Sequence, residues 1–164
     1  MQKEAWNFQR NGQNVMDKTP QLIGVGLRPT HYPHLECTPQ IESNWFEAIS
    51  ENYMNTEGRP LEMLLKVRAQ FPMALHGVSL SIGSEMDDRK DYLTKLKRLI
   101  ERIDPLIVSD HFCWTRAHSG NSHDLLPMPF TRETLELVIS NADFVQNFLG
   151  RQILLENISY YFSF

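Results

Sequence analysis

Several features that mark common protein classes are scarce or absent in this sequence of 164 residues. It has two cysteines, Cys37 and Cys113, without the Cys-x-x-Cys spacing of a zinc site or the density of a disulfide scaffold. No apolar run approaches the ~20 residues that span a bilayer, and residues 1–21 are polar and lack the apolar core of a signal peptide. We therefore expect reduced thiols, a cytoplasmic location, no membrane partner and a polar leader at residues 1–21.

The sequence has fewer basic residues than acidic ones, 16 against 20. The net charge is −4, whereas proteins that bind nucleic acids usually carry a basic surface. Gly24 and Gly26 form a glycine pair, but the third glycine and the immediate helix of a dinucleotide-binding fingerprint are missing. The sequence thus predicts no nucleic-acid partner and no dinucleotide site at these glycines.

What the sequence does contain is a repeated arrangement in which an apolar stretch carries side chains that can bind a metal. The first stretch contains His76, the second ends in His111 and the third carries Glu156 near its end. These stretches are residues 73–83, 106–111 and 153–157. Since the carboxyl ends of parallel strands meet at one edge of a sheet, we expect the three side chains to lie together there.

The order of strand and helix patterns predicts an α/β fold with a parallel sheet. Strand patterns alternate with helices whose apolar residues recur at helical spacing, which is typical of right-handed crossovers. The predicted strands are residues 22–27, 45–53, 73–83, 106–111 and 153–157, and the predicted helices begin near Pro60, near Asp87 and after an N-cap at Thr131, the last ending at Gly150. Residues 28–34 and 112–130, which contain prolines, are expected to be loops.

His76, His111 and Glu156 are the strongest candidates for chemistry. Two imidazole nitrogens and one carboxylate oxygen suit iron, manganese or zinc, and two histidines with one carboxylate is a known arrangement for non-heme iron. The alternative is that the three are ordinary hydrogen-bonded polar residues at strand ends. No local spacing motif decides between the two interpretations.

Six further residues are candidates for supporting the site or contacting a substrate. Glu51 lies near the end of the second predicted strand and is either a further ligand, a general base or a loop acid. Asp110 points to the opposite face of an extended strand from His111, and from there it can orient a neighbouring ligand. The six candidates are Glu51, Asn52, Asp110, His123, Asp124 and Asn157.

Six motifs in order resemble those of the family catalogued as domain of unknown function 692. The motifs span residues 23–29, 45–54, 75–84, 109–114, 124–131 and 154–157. The family includes multinuclear non-heme iron oxidative enzymes, such as the iron subunit that makes methanobactin. The resemblance extends over residues 22–164, and Asp110 stands where the family motif usually has glutamate.

The resemblance implies a TIM-type (β/α)8 barrel with two or three irons at the carboxyl ends of its strands. It also implies dioxygen-dependent oxidation of cysteine residues in a ribosomally made peptide, which a partner protein often delivers. On this resemblance His76, His111 and Glu156 are iron ligands, whereas the family's later Asp and His ligands have no counterpart in the sequence. The site expected for this chain is therefore an incomplete iron site.

Length separates this chain from a complete barrel, which needs roughly 200 residues or more. We expect residues 22–164 to form the amino-terminal part of a TIM-barrel-like domain, a partial barrel of about five parallel strands in a truncated member of the family. Its open sheet edges would favour self-association. Two alternatives stay open at this stage: a divalent-metal barrel of the xylose-isomerase or endonuclease type, and an inactive fragment that serves only as an interaction module.

Overall fold

The computed structural model describes residues 23–37, 41–84, 89–117 and 120–159, with backbone alone for residues 116–117 and 120–123. The polar leader predicted at residues 1–21 and the helix start predicted near Asp87 lie outside the described residues. Within the described part, no helix is long and apolar enough to cross a membrane.

A sheet of five parallel strands organises the fold, as the sequence predicts. Its strand order is β1-β2-β3-β4-β7, so that strands joined by helices lie side by side, as in part of a TIM-type barrel. The strands are β1 (Gly24–Gly26), β2 (Trp45–Ile49), β3 (Met73–His76), β4 (Ile107–Phe112) and β7 (Leu154–Asn157). Among the described strands, β1 and β7 each pair on one side only.

Helices connect the strands and cover one face of the sheet. Their buried residues pack with Phe46, Ala48, Leu75 and Val108 of the sheet into one apolar core. The helices are α1 (Tyr32–Cys37), which follows a 3-10 turn at Pro29–His31, α2 (Glu51–Met54), α3 (Arg59–Arg68), α4 (Lys90–Ile103) and α5 (Arg132–Leu149). The predicted caps of α5 are confirmed, because the Thr131 side chain accepts a hydrogen bond from the Thr134 N–H and Gly150 adopts a left-handed conformation.

Two of the predicted loops contain regular structure. Residues 28–34 were expected to be irregular because of their prolines, but Pro29 opens the 3-10 turn and Pro33 lies in the first turn of α1. A proline is tolerated in a first turn because its missing N–H has no partner there anyway. The loop predicted at residues 112–130 contains an antiparallel hairpin of β5 (Trp114–Ala117) and β6 (Gly120–Leu126).

The second predicted strand is shorter than expected. It ends at Ile49, because Ser50 adopts a helical conformation and its carbonyl accepts the N–H groups of Tyr53 and Met54. Glu51 therefore begins helix α2 instead of ending a strand. The third predicted strand is also cut short, at His76, and residues 77–84 form a connection to α4.

Asn141 of α5 holds the connection at residues 77–84 in place through hydrogen bonds to its backbone. Its side-chain amide is buried and donates to the carbonyl oxygens of Ile82 at 2.7 Å and Ser84 at 2.9 Å. The guanidinium of Arg89, also buried, donates to the carbonyls of Leu80 and Ser84. Buried polar side chains thus hold the connection that follows His76. Burial removes these side chains from water, and their hydrogen bonds offset that cost.

We expect Asn141→Ala to lower the free energy of unfolding by about 1–3 kcal/mol, because it leaves the buried Ile82 carbonyl without its donor. Asn147→Ala, at an exposed position of the same helix, is the matched control and should change stability by less than about 0.5 kcal/mol. Urea unfolding measures both. Equal losses in the two variants would show that the Asn141 hydrogen bonds do not stabilise the connection.

Candidate metal site

The sheet register places three potential metal ligands on one face. Side chains alternate between the two faces of a strand, and residues paired across neighbouring strands share a face. His76 pairs with Ser109, two residues before His111, and His111 pairs with Glu156. His76, His111 and Glu156 therefore all project from the face opposite the helices, at the carboxyl ends of β3, β4 and β7.

The three side chains converge closely. The Nε2 atoms of His76 and His111 are 3.4 Å apart, with the rings packed edge to face. Glu156 Oε2 lies 3.8 Å from His76 Nε2. One donor atom from each residue lies within 4.8 Å of the other two. Among the residues that the structure describes, this is the one group of three potential metal ligands at such distances.

These distances fit a shared cation. Imidazole nitrogens and carboxylate oxygens bind transition metals at about 2.0–2.2 Å, so two donors on one ion lie at most about 4.4 Å apart. The 3.4 Å and 3.8 Å separations satisfy this limit, and the remaining pair, His111 and Glu156, lies within 4.8 Å, so a small movement of Glu156 would complete the set. The Glu156 side chain is 61% exposed and can adjust by rotation, whereas the His76 side chain is 10% exposed and fixed by packing.

A neighbouring hydroxyl orients His76 to bind through Nε2, whereas Nδ1 of His111 is buried without a hydrogen-bond partner. Nδ1 of His76 lies 2.9 Å from the Ser109 hydroxyl, which leaves its Nε2 for a ligand. Burial is the main cause that lowers the pKa of His111, and a charge on His76 acts in the same direction, whereas Glu156 and Glu51 oppose it. His111 is therefore a neutral imidazole at neutral pH, the form in which histidine binds metals.

Asp110 lies on the opposite face of β4, as its position next to His111 predicts. Its side chain is buried and accepts backbone N–H groups, from His111 at 2.7 Å and from Leu80 at 3.2 Å. Burial, with a contribution from the negative charge of Glu51, raises the pKa of Asp110 to about 7, although the hydrogen bonds and Arg89 act against this. Asp110 thus fixes the backbone at His111 without facing the three converging ligands.

Glu51 is a second carboxylate that accepts hydrogen bonds near the site. Its Oε1 accepts the backbone N–H of Val78 at 2.9 Å and the hydroxyl of Tyr92 at 2.7 Å. Its Oε2 is buried and has no hydrogen-bond partner. Glu51 therefore ties the start of α2 to the chain just beyond His76.

The remaining candidates are peripheral to the three ligands. Asn52 is exposed on α2 and Asp124 is exposed on β6. Asn157 is exposed at the end of β7, where it lines a cavity of about 230 Å³ with Phe112 and Met128. The side chain of His123 lies outside the described residues.

Three site residues were not identified in the sequence. Ser109 precedes His111 by two positions, so the period of a strand places both on one face, and this signal was available. Gly77 was not singled out, although a Cβ there would collide with the Asp110 carboxylate. Tyr92 gave no signal, because its contacts with Glu51 depend on how α4 packs against α2.

Comparisons with known proteins agree with the resemblance found in the sequence. A family model described as RiPP precursor modification enzyme MbnB/TglH/ChrH matches residues 22–164. UPF0276 proteins of Rhizorhabdus wittichii and Caulobacter vibrioides are 47% and 48% identical over 144 and 142 residues, each match including 87% of this chain. A UPF0276 protein of Anaeromyxobacter sp. is 50% identical over 143 residues, 86% of this chain. The chain spans about half the length of these relatives, at 52%, 51% and 50%.

The pKa of Asp110 predicts how stability depends on pH. A carboxyl that titrates near pH 4 in the unfolded chain and near pH 7 in the folded one binds more protons when folded between these values. We therefore expect the free energy of unfolding to fall as pH rises from about 4 to 7, by about 1 kcal/mol per pH unit.

Urea unfolding of the metal-free protein across this range measures the slope, and Asp110→Asn should flatten it. The variant also loses an acceptor for a backbone N–H, so its overall stability shifts and the slope alone is the test. Identical slopes in the two proteins would contradict the assigned titration.

Proposed function

Because this chain belongs to the family of RiPP precursor modification enzymes MbnB/TglH/ChrH, we propose that it forms the metal-binding part of an iron-dependent enzyme. The enzyme would oxidise cysteine residues of a ribosomally made peptide with dioxygen. The convergence of His76, His111 and Glu156 on one face of the sheet is the observation that carries this proposal.

Each residue has a defined part in the proposed site. His76 and His111 would bind iron through Nε2, with Ser109 holding the His76 ring in orientation. Glu156 would supply a carboxylate oxygen and balance part of the positive charge. Bound iron would supply electron transfer between the cysteine thiol, which is oxidised, and dioxygen, which is reduced.

The site is accessible to a large substrate on the side of β7. Glu156 and Asn157 are exposed there; Asn157 projects from the opposite face of β7 to Glu156 and lines a cavity with Phe112 and Met128 at the same end of the strand. In the proposed function this side receives the peptide, with Asn157 as a candidate for hydrogen bonds to it. Glu51 and Asn52 of α2 and Asp110 of β4 would support the site, and Asp124 and His123 are further candidates from β6.

Three protein donors leave open positions on an ion that takes five or six ligands. In the resemblance the site holds two or three irons, and further ligands come from later strands. We propose that this chain contributes three ligands of one iron. The ligands of the other irons would come from residues that the longer relatives have in addition to the part matched by this chain. A peptide-delivering partner protein also belongs to this proposal.

We expect His76→Ala, His111→Ala and Glu156→Ala each to weaken Fe²⁺ binding by more than about 100-fold, because each removes a direct ligand and outer partners alone are typically worth about 10–100-fold. Anaerobic titration with a competing chelator measures the dissociation constants. His34→Ala, at an exposed position of α1, is the control and should bind Fe²⁺ like the parent chain. Unchanged affinity in the three variants would exclude this site.

A full-length relative should oxidise a thiol in its precursor peptide, whereas this chain alone should be catalytically poor and bind iron weakly. The unpaired edges of β1 and β7 should also make the chain alone self-associate. Mass spectrometry of the peptide and sedimentation of the protein measure the two properties. Turnover of the chain alone at the rate of the full-length relative would contradict the proposal that further strands are needed.

A further inference from the structure

Tyr92, in the first turn of α4, lies near the ends of the two strands that carry His76 and His111. Its hydroxyl donates to Glu51 Oε1 at 2.7 Å, and the same oxygen accepts the backbone N–H of Val78 at 2.9 Å. Val78 is two residues beyond His76. Tyr92 therefore helps to hold the carboxylate that fixes the chain at the end of β3.

The Tyr92 hydroxyl also borders the group that fixes the end of β4. A Cβ on Gly77 would lie 3.1 Å from the Tyr92 hydroxyl and would collide with Asp110 Oδ2, so glycine permits the three groups to pack together. The Asp110 carboxylate in turn accepts the backbone N–H of His111 at 2.7 Å. Tyr92 thus lies between the half-buried Glu51 carboxylate, which holds the backbone near His76, and the buried Asp110 carboxylate, which holds it at His111.

Backbone hydrogen bonds also hold the chain on both sides of His76. The Ser50 N–H donates to the His76 carbonyl at 2.8 Å, and the Gly77 N–H donates to the Ser109 carbonyl at 2.7 Å. Rotation of the Glu51 or Asp110 carboxylate would disturb the contacts that follow each histidine. Because metal ligands must be placed within a few tenths of an ångström, small shifts here change affinity.

We infer that Tyr92 is a positioning residue of the metal site: its hydroxyl donates to the Glu51 carboxylate and packs beside the Asp110 carboxylate, and it thereby sets the separation of the two imidazoles. The inference rests on the proposed function, since it requires that His76 and His111 bind a metal. Tyr92 touches neither the ion nor the substrate in this account.

A second buried tyrosine provides a matched control. The hydroxyls of Tyr32 and Tyr53 are 3.1 Å apart in the apolar core, and both residues are buried. Tyr32→Phe removes one hydroxyl and one hydrogen bond, as Tyr92→Phe does, but the Tyr32 hydroxyl contacts Tyr53 of α2 and not a strand that carries a metal ligand. The pair of variants separates loss of position at the site from general loss of stability.

The test is titration of the metal-free chain with Co²⁺, whose visible absorption reports ligand geometry. Tyr92→Phe is expected to raise the Co²⁺ dissociation constant by about 10–100-fold and to shift the absorption bands, whereas Tyr32→Phe should bind Co²⁺ like the parent chain. Both variants should show similar falls in urea midpoint. If Tyr92→Phe folds poorly, Glu51→Ala, which removes the carboxylate that accepts from Tyr92, should show the same effect on Co²⁺ binding.

Glu51→Gln distinguishes a positioning role from direct ligation. The amide oxygen can still accept from Val78 and Tyr92, so this variant should keep Co²⁺ affinity within a few-fold of the parent chain. Loss of binding in Glu51→Gln alone would make Glu51 a ligand and overturn the inference.

Two other results would also overturn it: unchanged affinity and bands in Tyr92→Phe, or an equal loss of affinity in Tyr32→Phe. A parent chain that binds no Co²⁺ would instead refute the proposed function, and the inference with it. The two failures are therefore distinguishable.

Discussion

The alternation of side chains along paired parallel strands is the constraint on which this structure depends. His76, His111 and Glu156 come from strands far apart in sequence, yet the register of β3, β4 and β7 gives them one face and one end of the sheet. A slip of one residue in either pairing would move a ligand to the helix-covered face. The helices and the apolar core on that face therefore matter to the site because they fix the register.

Buried carboxylates add precision that the sheet alone does not provide. Glu51 and Asp110 each accept backbone N–H groups next to a strand end, and Tyr92 lies between them. Removing two acids from water costs free energy, which the backbone hydrogen bonds partly offset. A desolvated carboxyl with a raised pKa, such as Asp110, is typical of functional sites.

Much of the fold could be predicted from the sequence because apolar strand and helix patterns alternate clearly. The spacing of apolar residues and the order of the elements predicted the parallel sheet and the convergence of the three ligands. Thr131 and Gly150 marked the two ends of α5. The hairpin of β5 and β6 could not be predicted, since β6 opens with a polar run that shows no apolar alternation and its pairing rests on backbone hydrogen bonds. Glu51 was assigned to a strand because the strand pattern does not reveal the turn at Ser50, whose N–H donates to the distant His76 carbonyl, and Tyr92 was missed because its bond to Glu51 is also a tertiary contact.

X-ray absorption at the iron edge of the anaerobically reconstituted chain tests the central claim most directly. If His76, His111 and Glu156 share one ion, the spectrum should contain scattering from two imidazole rings and from oxygen at about 2.0–2.2 Å. A shell made only of oxygen, without imidazole scattering, would contradict a site formed by these three residues.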